Sequence, residues 1–344
     1  MRNQFHYLLR NQFHYLYRIF RTSFTPLKMW NACRLALSYR LSAFGILTRW
    51  KVKPRFISIE PVNACNLRCP ECPVGMRETA VKAIHADLPL IKKLIDELAP
   101  TLMYTTLYFQ GEPLLNRNFT EIVQYVRSKN ILTATSTNSQ LIDDNLAKSL
   151  VLSGLDRLII SVDGATQDTY EVYRVGGKLQ KVIDAIYSLV KWKKELKSAS
   201  PYIEVQFLVL KTNEHQLDEM KRLAKEWNVD KLTFKSAQLY DFENGHELIP
   251  ITKKYARYEL RADGKYHIKK FLRNRCKRLW EGAVITSTAD VLPCCFDKDS
   301  RYVFGNLNEN SFAECWHSEN AMQFRKKLLE NRKQFEMCRN CTSP

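Results

Sequence analysis

The chain has 344 residues and a mass of 40.3 kDa, which is too long for one small module and suits a large catalytic domain with an appendage. Hydrophobic residues make up 45% and charged residues 26%, and these values exclude a wholly disordered or fibrous chain. The net charge of +17 and the ten cysteines are unusual, although the cysteine density is below that of a small disulfide scaffold.

The first predicted element is a basic, helical N-terminal arm at residues 1–50. Eleven Lys and Arg residues precede Glu60, the first acidic residue of the chain, so residues 1–59 hold most of the surplus charge. The sequence RNQFHYL begins at Arg2 and again at Arg10, and a spacing of eight keeps equivalent side chains near one helical face. Segment 29–47 places basic residues between bulky apolar ones, which is typical of a helix at an anionic membrane surface.

Three interpretations of the arm stay open. It could lie on a membrane, pack on the protein's own body, or act as a mitochondrial presequence, since presequences are also basic and lack acidic residues. We expect no membrane-spanning helix, because no uninterrupted run of about 18 apolar residues exists. We also expect no nucleic-acid partner, because no basic stripe or reader motif follows. The sequence therefore predicts a cytoplasmic protein, peripheral at the inner face of the membrane if the arm binds lipid.

A strand is predicted at 55–60, and three cysteines follow it, Cys65, Cys69 and Cys72. Clustered cysteines without a visible secretory signal favour a metal site with soft ligands over disulfides. Structural zinc takes four ligands, whereas three thiolates hold a [4Fe–4S] cluster and leave one iron open for a substrate or cofactor. Prolines around the loop keep it extended.

Strand-like and helix-like segments then alternate along the chain. The predicted strands are 55–60, 105–110, 131–137, 157–162, 203–210 and 231–236, and the predicted helices are 87–98, 117–129, 142–153, 178–197 and 215–227. This alternation predicts an α/β fold with a parallel sheet and right-handed crossovers. Polar residues follow several of these strands, as in barrel enzymes, whose functional residues lie at the carboxyl ends of strands.

The C-x3-C-x2-C spacing after a strand resembles that of radical S-adenosylmethionine (SAM) enzymes, and Gln110-Gly111-Glu112-Pro113 resembles their Gly-Gly-Glu-Pro segment. The resemblance implies a partial (β/α)6 TIM-like barrel at 51–245. It also implies that Cys65, Cys69 and Cys72 hold a [4Fe–4S] cluster whose open iron binds SAM.

The resemblance further implies a set of SAM-contacting residues, most of them at predicted strand ends. They are Gln110, Gly111, Glu112, Ser136, Asn138, Ser161, Asp163 and Arg174. In the family, equivalents of Glu112 meet the methionine amino group, and equivalents of Arg174 pair with the SAM carboxylate, a role that suits a guanidinium group. The chain departs from the family pattern at Gln110, where a glycine is usual, and at Glu71, where an aromatic residue is common.

The C-terminal region, 246–344, contains a second group of cysteines. Its members are Cys276, Cys294, Cys338 and Cys341, and four thiolates can saturate either one zinc ion or one iron–sulfur cube. The residues around them resemble the SPASM/twitch extension of radical SAM enzymes, which implies an auxiliary [4Fe–4S] cluster.

Three other cysteines, Cys33, Cys295 and Cys315, are not assigned to either group. The preceding proline favours Cys294 over Cys295 as the ligand, and we expect Cys33 and Cys315 to be buried hydrophobic residues. The chain also departs from the extension's pattern at Ala289, where the family usually has glycine.

The expected activity is reductive cleavage of SAM to a 5′-deoxyadenosyl radical that removes a hydrogen atom from a substrate. Reduced flavodoxin or ferredoxin is the expected electron donor. The auxiliary cluster would assist oxidation or modification of the substrate, in peptide maturation or in dehydrogenation of a small polar or lipid-linked molecule.

Three residues after the last predicted strand are candidate acid–base groups, namely Asp241, Glu243 and His246. The alternative is that they belong to a solvated loop without a role in catalysis. The alternative function is a zinc- or iron–sulfur-stabilised interaction module at a membrane surface, without SAM chemistry.

Overall fold

The computed structural model describes residues 2–46, 50, 52–77, 82–270 and 272–342, with side chains from residue 8 onward. The side chains of the first copy of the RNQFHYL repeat, up to Tyr7, lie outside the described residues. Residues 47–49, at the end of the apolar segment, also lie outside them.

The elements alternate as expected over the middle of the chain. The helices are α1 Arg2–Ser23, α2 Pro26–Leu41, α3 Leu88–Leu98, α4 Phe119–Ser128, α5 Asp144–Leu152, α6 Gln167–Tyr173, α7 Leu179–Glu195, α8 Leu217–Glu226, α9 Lys277–Glu281, α10 Phe312–Trp316, α11 Glu319–Glu330 and α12 Glu336–Arg339. The strands are β1 Phe56–Ile59, β2 Tyr104–Thr106, β3 Leu132–Thr137, β4 Arg157–Ser161, β5 Tyr202–Val209, β6 Lys231–Ser236, β7 Tyr258–Leu260, β8 Tyr266–Ile268, β9 Gly282–Ile285, β10 Asp290–Leu292 and β11 Gly305–Asn306.

Local sequence explains where several helices begin. Thr25 caps α2 through its hydroxyl, and Pro26 occupies the first turn, where a missing N–H costs nothing. Asp87 caps α3 by accepting a hydrogen bond from the Leu90 N–H at 3.0 Å. These caps satisfy backbone donors that have no partner within the helix.

The chain divides into two compact units by its internal contacts. The first unit combines 1–17, 65–81 and 134–269, and the second combines 18–64, 82–133 and 270–344.

In the first unit, β3, β4, β5 and β6 pair in parallel in that order. The centres of β4 and β5 are buried, for example at Ile160, which lies opposite Val205, whereas β6 is partly exposed. Helix α7 covers this region with an apolar face that includes Val182, Ile186 and Leu189. The predicted α/β class, with parallel strands and intervening helices, is confirmed.

In the second unit, the strand order is β11–β10–β9–β1–β2. Strand β9 pairs in parallel with β1, and β10 runs antiparallel to β9. A Cβ atom on Gly282 would lie 2.2 Å from the Phe56 ring, so any other residue here would require that ring to move. This part of the C-terminal region therefore extends the sheet at the edge formed by β1.

The N-terminal arm is helical, as expected. Within the described residues, no helix is long and apolar enough to cross a membrane.

Candidate functional site

The three cysteines of the first group lie on one short turn in the first unit. The Cys72 N–H donates to the Cys69 carbonyl at 3.1 Å, and a Cβ atom on Gly75 would lie 2.5 Å from that carbonyl. Cys69 is buried, and Cys65 and Cys72 are half-buried against the same apolar cluster, which includes Leu67. The turn thus holds three thiols on a common support.

Nitrogen donors approach two of these thiols. The Asn138 amide, just after β3, lies 3.7 Å from the Cys65 Sγ, and the Arg174 Nη1 lies 3.8 Å from the Cys69 Sγ. Burial raises the pKa of the Cys69 thiol, while Arg174 acts in the opposite direction. Donors aimed at sulfur favour the thiolate form that metal ligation requires.

Arg174 is itself held by Asp163, which follows β4. One Asp163 oxygen accepts a hydrogen bond from the Arg174 Nε at 2.5 Å, and the other accepts one from the Leu208 N–H at 2.7 Å. Burial acts to lower the pKa of Arg174, but Asp163 and Cys69 raise it above its usual value. The guanidinium is therefore fixed and charged beside the cysteine turn.

Two predicted serines lie on neighbouring parallel strands of the same unit. Ser136 is half-buried near the end of β3, and Ser161 is buried as the last residue of β4. The first unit thus brings together the cysteine turn and the carboxyl ends of two strands, as the sequence predicts.

The second unit contains the Gln110-Gly111-Glu112 segment. A Cβ atom on Gly111 would lie 2.1 Å from the Val62 carbonyl oxygen, so the position requires glycine, and the Glu112 N–H donates to the Ala64 carbonyl at 2.8 Å. The Gln110 N–H donates to Glu60 at 3.3 Å. The departure from glycine at Gln110 is therefore accommodated, because that residue is tied to the end of β1.

The sequence missed the role of Glu71. Its carboxylate accepts a hydrogen bond from the Tyr240 N–H at 2.9 Å and lies 3.3 Å from the His246 Nε2. Glu71 thus joins the cysteine turn to the loop after β6. Of the three acid–base candidates, only His246 makes this contact, whereas Asp241 and Glu243 are exposed. The unusual residue before the third cysteine was the available signal.

The second group of cysteines converges in the second unit. Cys276, Cys294, Cys338 and Cys341 line one small cavity of about 20 Å³. Cys295 is not among its lining residues and lies instead on a larger neighbouring cavity, which Cys294 also lines.

Two arginines, Arg278 and Arg332, line this small cavity, and Arg332 contacts one of its thiols. The Arg332 side chain is buried and donates from Nη2 to the Cys341 Sγ at 3.4 Å. Burial raises the pKa of Cys338 to about 11, and Arg332 opposes that rise. The donor set fits a cluster held by four thiolates. No three Cys, His, Asp or Glu side chains in the described ranges are close enough to share one metal ion, but a four-iron cube holds its ligands farther apart than a single ion does.

Of the two cysteines expected to be buried hydrophobic residues, one is buried and the other is exposed. Cys315 is buried, as expected, and a Cβ atom on Gly305 would lie 2.7 Å from its Sγ. The expectation for Cys33 was wrong, because this residue is exposed. It lies on the outer side of α2, away from the buried Asn31 and Leu35.

Comparisons with known proteins agree with this arrangement. The family model of the radical SAM superfamily matches residues 59–224, and that of the SPASM iron–sulfur cluster-binding domain matches 276–342. The chain is 26% identical over 317 residues to the tungsten-containing aldehyde ferredoxin oxidoreductase cofactor-modifying protein of Pyrococcus furiosus, covering 84% of this chain and 87% of that protein. It is 25% identical to the AdoMet-dependent heme synthase of Methanosarcina barkeri, covering 79% and 84%. The crystal structure of Streptococcus suis SuiB bound to S-adenosylmethionine shares the fold, with a TM-score of 0.62 at 14% identity, over 88% of this chain and 74% of that one.

Proposed function

The chain belongs to the radical SAM superfamily and carries a SPASM domain, and we propose that it modifies an organic substrate with the two cysteine centres described above. When bound, the first [4Fe–4S] cluster and SAM supply a 5′-deoxyadenosyl radical that removes a hydrogen atom from the substrate. The protein's own residues bind, orient and shield these groups.

The arrangement of donors around the cysteine turn supports this assignment most directly. Cys65, Cys69 and Cys72 supply three thiolates, and Asn138 and Arg174 aim N–H groups at two of them. Three ligands leave one iron open for a bidentate ligand such as the amino and carboxylate groups of SAM.

We assign Arg174 to the SAM carboxylate, since its Nη groups can bind a carboxylate while its Nε stays on Asp163. Backbone at Gly111, together with Glu112, would take the methionine amino group. Ser136 and Ser161, with Asn138, would take the ribose and methionyl parts, and Gln110 would hold the Gly111 segment in place.

The second centre would hold an auxiliary [4Fe–4S] cluster through Cys276, Cys294, Cys338 and Cys341. Their common cavity and the donor from Arg332 support that ligand set. A cluster saturated by four thiolates has no vacant iron, which favours electron transfer from the substrate over direct substrate binding. We propose reduced flavodoxin or ferredoxin as the external electron donor.

We further propose that the functional division is an arm at 1–50, a radical SAM barrel at 51–245 and an auxiliary domain at 246–344. The substrate would be a peptide or a small polar or lipid-linked molecule.

A specific observation supports membrane-surface contact by the arm. On α1 the polar Asn11 and Thr22 are fully buried, while aromatic residues on the opposite face are exposed, including Phe13 and Phe20. Asn11 donates to Asp230 at 2.7 Å, which anchors this face on the protein body. Apolar residues outward and polar residues inward reverse the usual pattern of a soluble helix.

Helix α2 continues this pattern. Its exposed apolar residues Leu27, Trp30 and Leu37 lie on one helical face, and no acidic residue precedes Glu60. An apolar face with only basic charges nearby fits an anionic lipid surface.

The membrane proposal is tested by co-sedimentation with phosphatidylcholine vesicles that either contain or lack phosphatidylserine. We expect the protein to pellet with the anionic vesicles and the pelleted fraction to fall in a Phe20→Ser, Trp30→Ser variant. The matched control is a Val172→Ser, Tyr187→Ser variant, because these exposed apolar residues lie on α6 and α7, outside the arm. Equal pelleting of the two double variants would contradict lipid contact through the arm.

The catalytic proposal is tested by anaerobic reconstitution, followed by quantification of 5′-deoxyadenosine made from SAM and a reductant. Cys69→Ala should abolish the product, because two thiolates do not hold the cluster with an open iron. Cys33→Ala is the matched control, since Cys33 is exposed and outside both cysteine groups. Iron content should approach about eight per chain, from two four-iron cubes. Product formation by Cys69→Ala at the control rate would overturn the assignment.

A further inference from the structure

The second unit contains a cavity of about 550 Å³ beside the auxiliary centre. Residues from three neighbouring strands form one wall: Phe56 and Ser58 of β1, Tyr104 and Thr106 of β2, and Gly282 and Val284 of β9. Residues two apart on a strand share a face of the sheet, so this wall is one sheet face. The volume falls in the range of small-molecule sites.

One of the basic side chains that line the cavity has no carboxylate partner among the described residues. Three basic side chains line it, Arg55, Lys277 and Arg278. Glu281, which also lines the cavity, lies 2.8 Å from Arg55 and 3.7 Å from Lys277. The Arg278 guanidinium lies 5.7 Å from the centre of the Phe56 ring, and no carboxylate or carbonyl of the described residues accepts a hydrogen bond from it. Arg278 lines the four-cysteine cavity as well, and because its N–H groups have no carboxylate or carbonyl acceptor they are available to a molecule in the larger cavity.

Aromatic residues supply the apolar part of the lining. Phe56, Tyr104, Tyr108 and Phe109 all border the cavity. The Ser58 hydroxyl donates to the Tyr108 carbonyl at 2.5 Å, which fixes the chain where it leaves β2. Flat rings beside a guanidinium suit a ligand with an apolar or aromatic body and an anionic group.

The position of the cavity along the chain links it to both proposed cofactor centres. Tyr108 and Phe109 immediately precede the Gln110-Gly111-Glu112 segment, and Cys294 lines both this cavity and the four-cysteine cavity. A molecule bound here would therefore contact residues adjacent to the SAM segment and a thiol of the auxiliary centre.

We propose that this cavity binds the substrate, and that the substrate carries a carboxylate or phosphate group bound by Arg278 with its apolar body against Phe56 and Tyr104. This inference rests on the proposed function, since it names the substrate class of the same enzyme. Arg278 would determine specificity, because a guanidinium binds a planar or tetrahedral anion through two N–H groups at once.

Binding of simple probes tests the inference without turnover. The affinities of 1-naphthyl phosphate, 1-naphthoate and 1-naphthol are compared by calorimetry on the reconstituted, SAM-loaded protein. We expect at least one anionic probe to bind roughly tenfold or more tightly than naphthol, as a desolvated guanidinium–anion pair would give. The two anionic probes distinguish a phosphate from a carboxylate substrate. Equal affinity for all three probes would overturn the inference.

Variants locate the binding site. Arg278→Gln should remove most of the preference for the anionic probe, and Arg278→Lys should retain part of it as a point charge. Thr106→Phe fills the cavity from the β2 wall while Arg278 is retained, and it should weaken binding of all three probes. Arg222→Gln is the matched control, because Arg222 forms exposed ion pairs with Glu219 and Glu226 on α8.

Iron content is measured in every variant, so that loss of a cluster is separated from loss of the binding group. Unchanged anion preference in an iron-replete Arg278→Gln protein would overturn the role of Arg278. A wild type that cleaves SAM but shows no anion preference contradicts this inference alone. A wild type that binds the anionic probe but makes no 5′-deoxyadenosine contradicts the proposed function instead.

Discussion

Asp163 accepts a hydrogen bond from the Arg174 Nε at 2.5 Å with one carboxylate oxygen and is fixed to the β5 backbone through the other. The Asp163 side chain is 1% exposed, so its orientation is set by packing as well as by hydrogen bonds. Its partner reaches the Cys69 Sγ at 3.8 Å. The carboxylate thus determines where the guanidinium lies relative to the cysteine turn.

The first prediction concerns SAM affinity. Asp163→Asn keeps the shape of the side chain but loses the charge that fixes Arg174, and a hydrogen bond to a charged group contributes about 1.5–3 kcal/mol. We therefore expect the dissociation constant for SAM to rise roughly tenfold or more, measured by equilibrium dialysis on the reconstituted protein. Arg174→Gln should weaken binding at least as much. The matched control is Asp184→Asn, on the exposed side of α7. Wild-type SAM affinity in Asp163→Asn would show that Asp163 does not position Arg174 for SAM.

Much of the first site was predictable because it is encoded locally. The cysteine spacing and the polar residues after β3 and β4 identified Cys69, Asn138 and Asp163, and the structure places them together. The strand cores were also predictable, since buried apolar runs between turn signals define β4 and β5.

Features that depend on tertiary pairing were not predictable. Strand β2 ends at Thr106, short of its expected end at 110, because the chain leaves the sheet where the Ser58 hydroxyl binds the Tyr108 carbonyl. The parallel pairing of β9 with β1 places Gly282 against the Phe56 ring, more than 200 residues away in sequence. No local pattern contains that information.

The second prediction concerns the ligand choice between adjacent cysteines. Cys294 lines the cavity shared with Cys276, Cys338 and Cys341, whereas Cys295 does not. Cys294→Ser should therefore lower iron from about eight to about four per chain, and Cys295→Ser should retain about eight. Iron is quantified after anaerobic reconstitution, and 5′-deoxyadenosine formation reports whether the first cluster is intact. Loss of four irons from Cys295→Ser but not from Cys294→Ser would reverse the assignment.

The third prediction concerns the turn between β9 and β10. Ala289 is buried there with a φ of 72°, in the left-handed region that disfavours residues with a Cβ atom. Ala289→Gly should relieve this strain and raise the free energy of unfolding by about 1 kcal/mol. Anaerobic chemical denaturation measures the change. Ala283→Gly, on the neighbouring strand, is the contrasting variant and should be destabilising. A lower stability for Ala289→Gly would show that its methyl group contributes more by packing than it costs in strain.

The last prediction concerns Lys28, a buried cation in α2. Its Nζ donates to the Thr22 carbonyl at 2.9 Å and to the Asn130 carbonyl at 2.8 Å, and its side chain is 3% exposed. Burial, assisted by Arg18, lowers the pKa of Lys28 to about 8. In the unfolded state the pKa of a lysine is about 10.4. The folded state therefore binds the Lys28 proton less tightly than the unfolded state does. Between about pH 8 and 10.4 the unfolded state holds the Lys28 proton more often than the folded state does. The contribution of Lys28 to the free energy of unfolding must then increase as the pH rises through this range.

Comparison with Lys28→Met isolates this contribution from other groups that titrate at alkaline pH. Between pH ~7 and ~9 we expect the free energy of unfolding of the wild type to rise by about 1 kcal/mol relative to Lys28→Met. Anaerobic denaturation at both pH values measures the difference, and Lys326→Met, on the exposed side of α11, provides a matched loss of surface charge. A difference that stays constant or shrinks with rising pH would mean that the two carbonyl acceptors compensate Lys28 fully for its lost hydration, so that burial does not disfavour its charged form.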